Sequence, residues 1–467
     1  MIDFLYNLSK YLPEIKKPTK MLTLKEKFYW SLIVLSVYFI MYHITVLGLK
    51  PMSNSFDFVQ MITASRVGSL LTLGIGPIVI ASIFLQLFSG AGLINLDMHN
   101  PQDRKKFQKV QVILAIALAL FQGYLYAANL VGVNGMGGSV DDFFRGNPLV
   151  FHLVALQIAL GAIIVIYLDQ IVTKYGTGSG ISLFIAGGVS FGVMSGLVAL
   201  IFGQNGLISI FAEGGAQSIQ QALITILPLF STILVFVGVV YGEGYKVKIP
   251  LSFGFARRAG RPLELPLFYV SNIPVIFGAA FLIAVYAFSQ NLLAVNPTTT
   301  YGQIANYLGG ILYLFTPLRA NLNMLSYLNL ILHGQTPVFG LPEWFHAIVY
   351  ITGLSLISIA FGTFWVEMAN MDAKSIAEQL YQAGVNIPGF RMEKRLIEKR
   401  IDEYITPLTI TGSFLVGLLA GVANLTGALG TGTGILLTVG IFDRMYQQIK
   451  EGLKIYYPKF YDLIVGD

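Results

Sequence analysis

No cysteine occurs in the 467 residues, so disulfides, thiolate metal sites and cysteine nucleophiles are all excluded. Charge is scarce too: Asp, Glu, Lys and Arg make up 12% of the chain, about half of the usual share in a soluble domain. None of these residues stands near the middle of any long apolar run. Carriers that couple to protons or ions usually keep an ionisable or unwound polar site at midplane, so this absence favours passive conduction through an apolar constriction; a sodium site built from carbonyls stays open. The five histidines, His43, His99, His152, His333 and His346, are scattered without ligand spacing, so no metal and no cofactor is expected. The opening "MIDFLYNLSKYLPEIKKPTK" lacks a basic start, an apolar core and a small-residue cleavage site. A cleaved signal peptide is therefore not expected, and the first apolar run is expected to be kept.

What is present is hydrophobic: 55% of the residues are apolar, far too many for one or two soluble domains, and a bilayer must be the solvent. Runs of about 20 apolar residues recur, each long enough to carry a helix across the hydrocarbon with every backbone group bonded internally. Ten such runs centre near Leu35, Ser82, Leu118, Leu160, Val189, Ile233, Gly278, Gly353, Leu415 and Ile441, which predicts an all-α polytopic membrane protein. With the amino terminus placed inside, ten crossings return the carboxyl terminus to the same side. Of the 30 lysines and arginines, only Lys50, Arg66, Arg145 and Arg319 then fall outside, as the positive-inside rule requires. The basic inner segments include Lys10 to Lys27, Arg104 to Lys109, Lys246 to Arg261 and Lys374 to Arg400. Both termini are expected on the cytoplasmic side.

Two pairs of segments repeat at a distance of five spans. "GIGPIVIASIF" from Gly74 resembles "SNIPVIFGAAF" from Ser271, with Pro77 falling on Pro274, and "GSGISLFI" from Gly178 resembles "GTGILLTV" from Gly432. An odd number of crossings inverts the second half, so residues 1–215 with spans 1–5 and residues 216–467 with spans 6–10 are expected to form two inverted halves. Chance resemblance between glycine-rich apolar helices is the alternative. Between spans 1 and 3, the stretch from Phe56 to Arg66 is short and charged and cannot span. A half-helix, a glycine break at Gly68, Gly74 and Gly76, and then an apolar helix is the broken pattern that lines cavities; an amphipathic helix on the membrane surface is the alternative.

Ile75 and Val79 are four apart, as are Ile181 and Ile185, so each pair shares one helix face. Alone this spacing is ordinary packing; its occurrence in two spans that each take part in the repeat, beside glycines, points to a pore lining. The "GTGSG" at Gly176 and "GTGTG" at Gly430 lack the strand and lysine of a phosphate loop and serve as turns opening membrane spans.

Beginning with "TASRVGSLLTLGIGPIVIASIFLQL", the chain resembles the SecY family, the alpha subunit of the Sec translocon. Further matches are "IYLDQIVTKYGTGSGISLFIAGGV", "YVSNIPVI", "IPGFR" and "GTGILLTVGIFDRMYQQ", in family order along the whole chain and in wording close to the archaeal branch. The resemblance implies a nonenzymatic, gated channel of the cytoplasmic membrane that passes unfolded polypeptide and releases apolar segments sideways into lipid. A secondary transporter and a structural membrane scaffold are the rival readings.

Carried over by position, the resemblance implies a pore ring of Ile75, Val79, Ile181, Ile185, Ile276 and Leu437. It implies a plug half-helix of Asp57, Phe58, Val59, Gln60, Met61, Ile62, Thr63, Ala64, Ser65, Arg66 and Val67, and a lateral gate, spans 2 and 3 facing 7 and 8, that includes Gln86 and Asn272. A polar residue in a span is otherwise an interhelical hydrogen bond. Cytoplasmic loops 246–265 and 368–403 carry Arg257, Arg258 and Arg261, then Arg391, Lys394 and Arg395. The resemblance implies that these loops dock the ribosome through ribosomal RNA phosphate; positive-inside bias or anionic lipid is the alternative source of the same charge. Implied partners are SecE, Sec-beta, the ribosome with its nascent chain, signal sequences and membrane lipid. The outer segment from Asn291 to Pro342 departs most from the family; a partly buried helix is expected around Tyr301 to Leu314, and no role is assigned to it.

Overall fold

The computed structural model describes residues 6–20, 22–49, 65–90, 93–94, 100–133, 148–203, 206–213, 216–250, 252–253, 262–270, 273–293, 300–316, 330–331, 334–336, 339–382, 384–386, 393–429 and 432–456. Helices dominate them: α1 (Leu24–His43), α2 (Gly76–Gly90), α3 (Pro101–Val133), α4 (Pro148–Tyr175), α5 (Gly180–Phe202), α6 (Leu207–Glu213), α7 (Ala216–Gly244), α8 (Ile273–Leu293), α9 (Thr300–Tyr313), α10 (Glu343–Met368), α11 (Ala373–Gln382), α12 (Lys394–Leu425) and α13 (Gly432–Tyr456). Every one of the ten centres read from the sequence lies inside one of these helices. Six, among the described residues, are long and apolar enough by themselves to cross a membrane: α3, α4, α5, α7, α10 and α12.

Local chemistry sets where these helices start. Thr23 and Glu26 form a reciprocal capping box at α1, with the Thr23 amide donating to Glu26 Oε2 at 2.7 Å. Pro101 and Pro148 occupy the first positions of α3 and α4, where a missing N–H costs nothing. Pro228 and Pro407 sit inside α7 and α12, and the hydroxyls of Thr232 and Thr411, one turn later, donate to their carbonyls at 2.7 and 2.6 Å.

The chain divides into two compact units, Met1–Phe191 with Ile441–Asp467, and Gly192–Gly440. In the first, the core joins α1, α2, α4 and α5 around Val34, Tyr38, Leu71, Ile75, Ile78, Val165 and Phe184. The Tyr38 and Phe184 rings stack with centroids 4.8 Å apart. Such a pair adds about 1 kcal/mol beyond its burial. A second cluster packs α3 on α4 through Ala119, Ala155, Ile158 and Ala162.

In the second unit, α10 and α12 meet along small residues: Ser355, Ser358 and Gly362 on one helix, Ser413, Gly417 and Gly421 on the other, all buried. In lipid there is no hydrophobic drive between helices, and small side chains that let backbones approach supply the packing instead. Ser355 and Ser358 satisfy their hydroxyls within α10, on the carbonyls of Ile351 and Leu354 at 2.8 and 2.7 Å.

The fold is all-α as expected, with four short strands added in this unit. β1 (Lys246–Ile249) pairs antiparallel with β3 (Leu263–Pro266), and β2 (Ser252–Phe253) with β4 (Val385–Asn386). Loops 246–265 and 368–403 therefore share one core, in which Ile249, Leu265, Tyr269, Trp365, Ala377, Ile397 and Ile401 are buried together. Tyr269 donates its hydroxyl to the Met371 carbonyl at 2.6 Å, and burial, helped by the neighbouring Asp372, pushes this phenol up to about 12.

Candidate functional site: an apolar cluster behind a broken helix

α2 holds only 15 residues, about 22 Å at 1.5 Å per residue, too short to cross the hydrocarbon alone. The described chain ahead of it, from Ser65 to Ile75, is not helical, as the glycine break predicts. Gly68 and Gly74 take φ of +84° and +50°, the left-handed region that a Cβ disfavours.

Irregular backbone in a membrane needs internal partners, and here they are present. The Val46 amide donates to the Gly68 carbonyl at 2.9 Å, and the Leu70 amide to the Ile44 carbonyl at 3.0 Å, tying the segment to the end of α1. The Gly68 amide donates to the Thr72 hydroxyl at 3.1 Å, and the Ser69 hydroxyl to the Arg66 carbonyl at 2.8 Å. The Arg66 guanidinium lies 5.4 Å from the centroid of the Tyr42 ring.

Of the eleven plug positions, Asp57, Phe58, Val59, Gln60, Met61, Ile62, Thr63 and Ala64 lie outside the described residues. Ser65, Arg66 and Val67 are described, and they do not continue a helix. The Arg66 amide donates to the Leu71 carbonyl at 3.1 Å, and the Ser69 amide returns to the Arg66 carbonyl at 3.1 Å. These bonds close a turn and use the groups that a helix would need, so a half-helix reaching Val67 is corrected at its described end.

The ring positions fall near helix starts. Ile75 caps α2, its carbonyl accepting the Val79 amide at 3.1 Å. Ile181 and Ile185 lie in the first two turns of α5, Ile276 in the first turn of α8 and Leu437 in the second turn of α13. The fold brings four of the six together: Ile75 is fully buried in the core of the first unit, and Val79, Ile181 and Ile185 pack against that same cluster. In the second unit Leu437 is buried and Ile276 partly so, each beside residues of that unit's core, Leu436 and Val275.

Gln86 is partly buried and donates to the Ser82 hydroxyl at 3.1 Å within its own helix. Asn272, Arg257, Arg258, Arg261 and Arg391 lie outside the described residues. Lys394 pairs with Glu378 at 2.5 Å, and Arg395 is exposed.

Sequence reasoning missed two polar features. Asp169, read only as an inner-end charge, accepts the Ile181 amide at 2.8 Å. At the start of α10, Glu343 and His346 form a buried pair that reaches Thr316, just beyond α9. The Glu-x-x-His spacing at a helix start was its one visible signal.

Together the apolar helices, the broken second span and the internally satisfied irregular segment define a polytopic α-helical membrane protein. Comparison with known proteins narrows this. The SecY family model matches residues 69–446. The protein translocase subunit SecY of Methanocaldococcus jannaschii is 40% identical over 441 residues, covering 94% of each chain. Among solved structures, a protein-conducting channel aligns with TM-score 0.69 at 38% identity, covering 95% of this chain and 96% of that one. A SecY protein whose plug domain stabilises the closed state and maintains a membrane seal aligns with TM-score 0.66 at 37% identity, with the same coverage. Sec61 of the canine ribosome–channel complex from the endoplasmic reticulum aligns with TM-score 0.65 at 37% identity, again covering 95% and 96%. The chain belongs to the SecY family.

Proposed function

We propose that the chain is the pore-forming subunit of a protein-conducting channel, passing unfolded polypeptide across the cytoplasmic membrane and releasing apolar segments sideways into lipid. The observation that carries this reading is the convergence of Ile75, Val79, Ile181 and Ile185 on one apolar cluster, at the starts of two helices, each of which the sequence repeat pairs with a helix of the second half. A collar of branched aliphatic side chains solvates ions poorly, yet offers an extended chain no binding site to be trapped in. Ile276 and Leu437 complete the ring, Asp57 to Val67 form the plug, and Gln86 and Asn272 belong to the lateral gate. Residues 1–215 and 216–467 are the inverted halves.

SecE and Sec-beta are the proposed small partners, and the channel does no covalent chemistry. The ribosome docks on the inner loops; the canine relative's presence in a ribosome complex and the shared core of loops 246–265 and 368–403 support this. Both termini are cytoplasmic, following the cation asymmetry.

Because the chain has no cysteine, Ile75→Cys and Ile276→Cys each introduce a unique probe. A stalled nascent chain carrying a thiol crosslinker should react at both and not at a lipid-facing control such as Phe230→Cys on α7. Absence of crosslinks at both ring positions, together with substrate-dependent ion flux through the purified protein, would replace the channel by a transporter.

A further inference from the structure

We infer that Asp169 is a positioning residue for the pore ring: its carboxylate, at the inner end of α4, holds the first turn of α5 and so sets where Ile181 and Ile185 project. The inference rests on the ring assignment proposed above.

Asp169 Oδ1 accepts the Ile181 amide at 2.8 Å. Helix starts leave several N–H groups without intrahelical partners, and a carboxylate there satisfies them and favours the positive end of the helix dipole. The usual donor of such a cap is the residue just before the helix. Here the cap comes from twelve residues upstream on another helix, so the bond fixes α5 against α4 and not merely against its own turn.

The backbone agrees with this. A Cβ on Gly180 would lie 2.6 Å from Asp169 Cα and 2.7 Å from its Oδ1, so the close approach of the two helices depends on glycine at that point. The intervening turn is held elsewhere as well: the Thr177 amide donates to the Ser31 hydroxyl of α1 at 3.0 Å, and the Gly176 amide to the Val172 carbonyl at 2.7 Å. Asp169 also lines a cavity of about 190 Å³ with Thr173, Lys105, Lys109, Lys174 and, from α2, Ile78. Ile78 stands between Ile75 and Val79, so the residue that anchors the α5 half of the cluster also borders the α2 half.

The alternative is a structural cap whose loss destabilises the chain without touching the ring. Two readouts on the assembled complex separate them. The first is direct: Ile181→Cys in the cysteine-free chain is labelled by a thiol reagent with and without Asp169→Ala. The labelling rate should change about tenfold, the factor expected when a hydrogen bond to a charged group is lost, while labelling of Ile276→Cys should not move. Asp169→Asn, which keeps an oxygen acceptor, should restore most of the original rate. Gly180→Ala, which leaves the carboxylate in place and separates the backbones, should reproduce the change if Asp169→Ala does not assemble.

The second readout is resting ion conductance. Asp169→Ala should leak, and adding Ile181→Ser to it should leak no more than Ile181→Ser alone, whereas adding Ile276→Ser should multiply the effect. Unchanged labelling at position 181 in both Asp169→Ala and Gly180→Ala overturns the inference. If labelling shifts but Ile181→Ser itself does not leak, the positioning role stands and the ring assignment falls.

Discussion

His346 Nδ1 lies 2.8 Å from Glu343 Oε2, and both side chains are almost wholly buried, at 1% and 3% exposure. The other ring nitrogen lies 3.0 Å from the Thr316 carbonyl, and the Tyr313 hydroxyl donates to Glu343 Oε1 at 3.4 Å. The pair therefore fastens the end of α9 to the start of α10. Glu343→Ala removes the partner of the buried His346 Nδ1 and should cost about 3 kcal/mol, whereas Glu343→Gln should cost about half of that. Thermal unfolding of the assembled complex measures both, and limited proteolysis from the outside should cut near Thr316 in the Ala variant first. Equal melting of Glu343→Ala and the parent would show that the pair holds nothing.

The proposed topology rests on the cation asymmetry and is checked by single cysteines at Arg257 and Arg391. Both variants should react with an impermeant thiol reagent only from the cytoplasmic face. Reaction from outside at either site would invert the model.

Ribosome docking predicts unequal effects within the basic loops. Arg258→Glu with Arg391→Glu should weaken ribosome binding by about tenfold or more and flatten its salt dependence. Lys394→Glu should do less, because Glu378 already shares that ammonium at 2.5 Å. Binding that ignores both salt and charge reversal would demote the clusters to topology signals.

The sequence made the helical architecture legible because a bilayer imposes long apolar runs, and the glycine break ahead of α2 was visible as punctuation in such a run. α9 was foreseen too, close to its observed bounds of Thr300–Tyr313. The strands were hidden, since "KVKI" and "LELP" are four residues each and acquire their pairing only when two loops meet. Asp169 and Ile181, twelve residues apart, and His346 and Thr316, thirty apart, meet only in three dimensions. The same holds for the convergence of Ile75 with Ile181: periodicity put each on a helix face, and packing alone could join the faces.

The amino-terminal segment carries a pH signature. Lys109 bonds Glu14 at 2.9 Å and holds its carboxyl below the ordinary value of 4.5. A depressed carboxylate contributes stability that is fully present above the ordinary value and is lost as pH falls through the lowered one. Hydrogen exchange of the segment around Glu14 should thus be flat from pH 8 to about 5 after correction for intrinsic rates, and accelerate only below about 4.5. Lys109→Ala should abolish the depression. The effect is small, since Glu14 is half exposed.

The central claim is that an apolar ring and a plug seal the pore in series, and resting conductance of the reconstituted complex tests it most directly. Ile75→Ser with Ile181→Ser should let water wet the constriction, and deletion of Asp57 to Val67 should remove a second barrier. Each change should raise ion leak, and the combination should leak more than either alone, whereas Phe230→Ser on the exposed face of α7 should leave the seal intact. A channel with a polar ring and no plug that conducts no better than the parent would contradict the account.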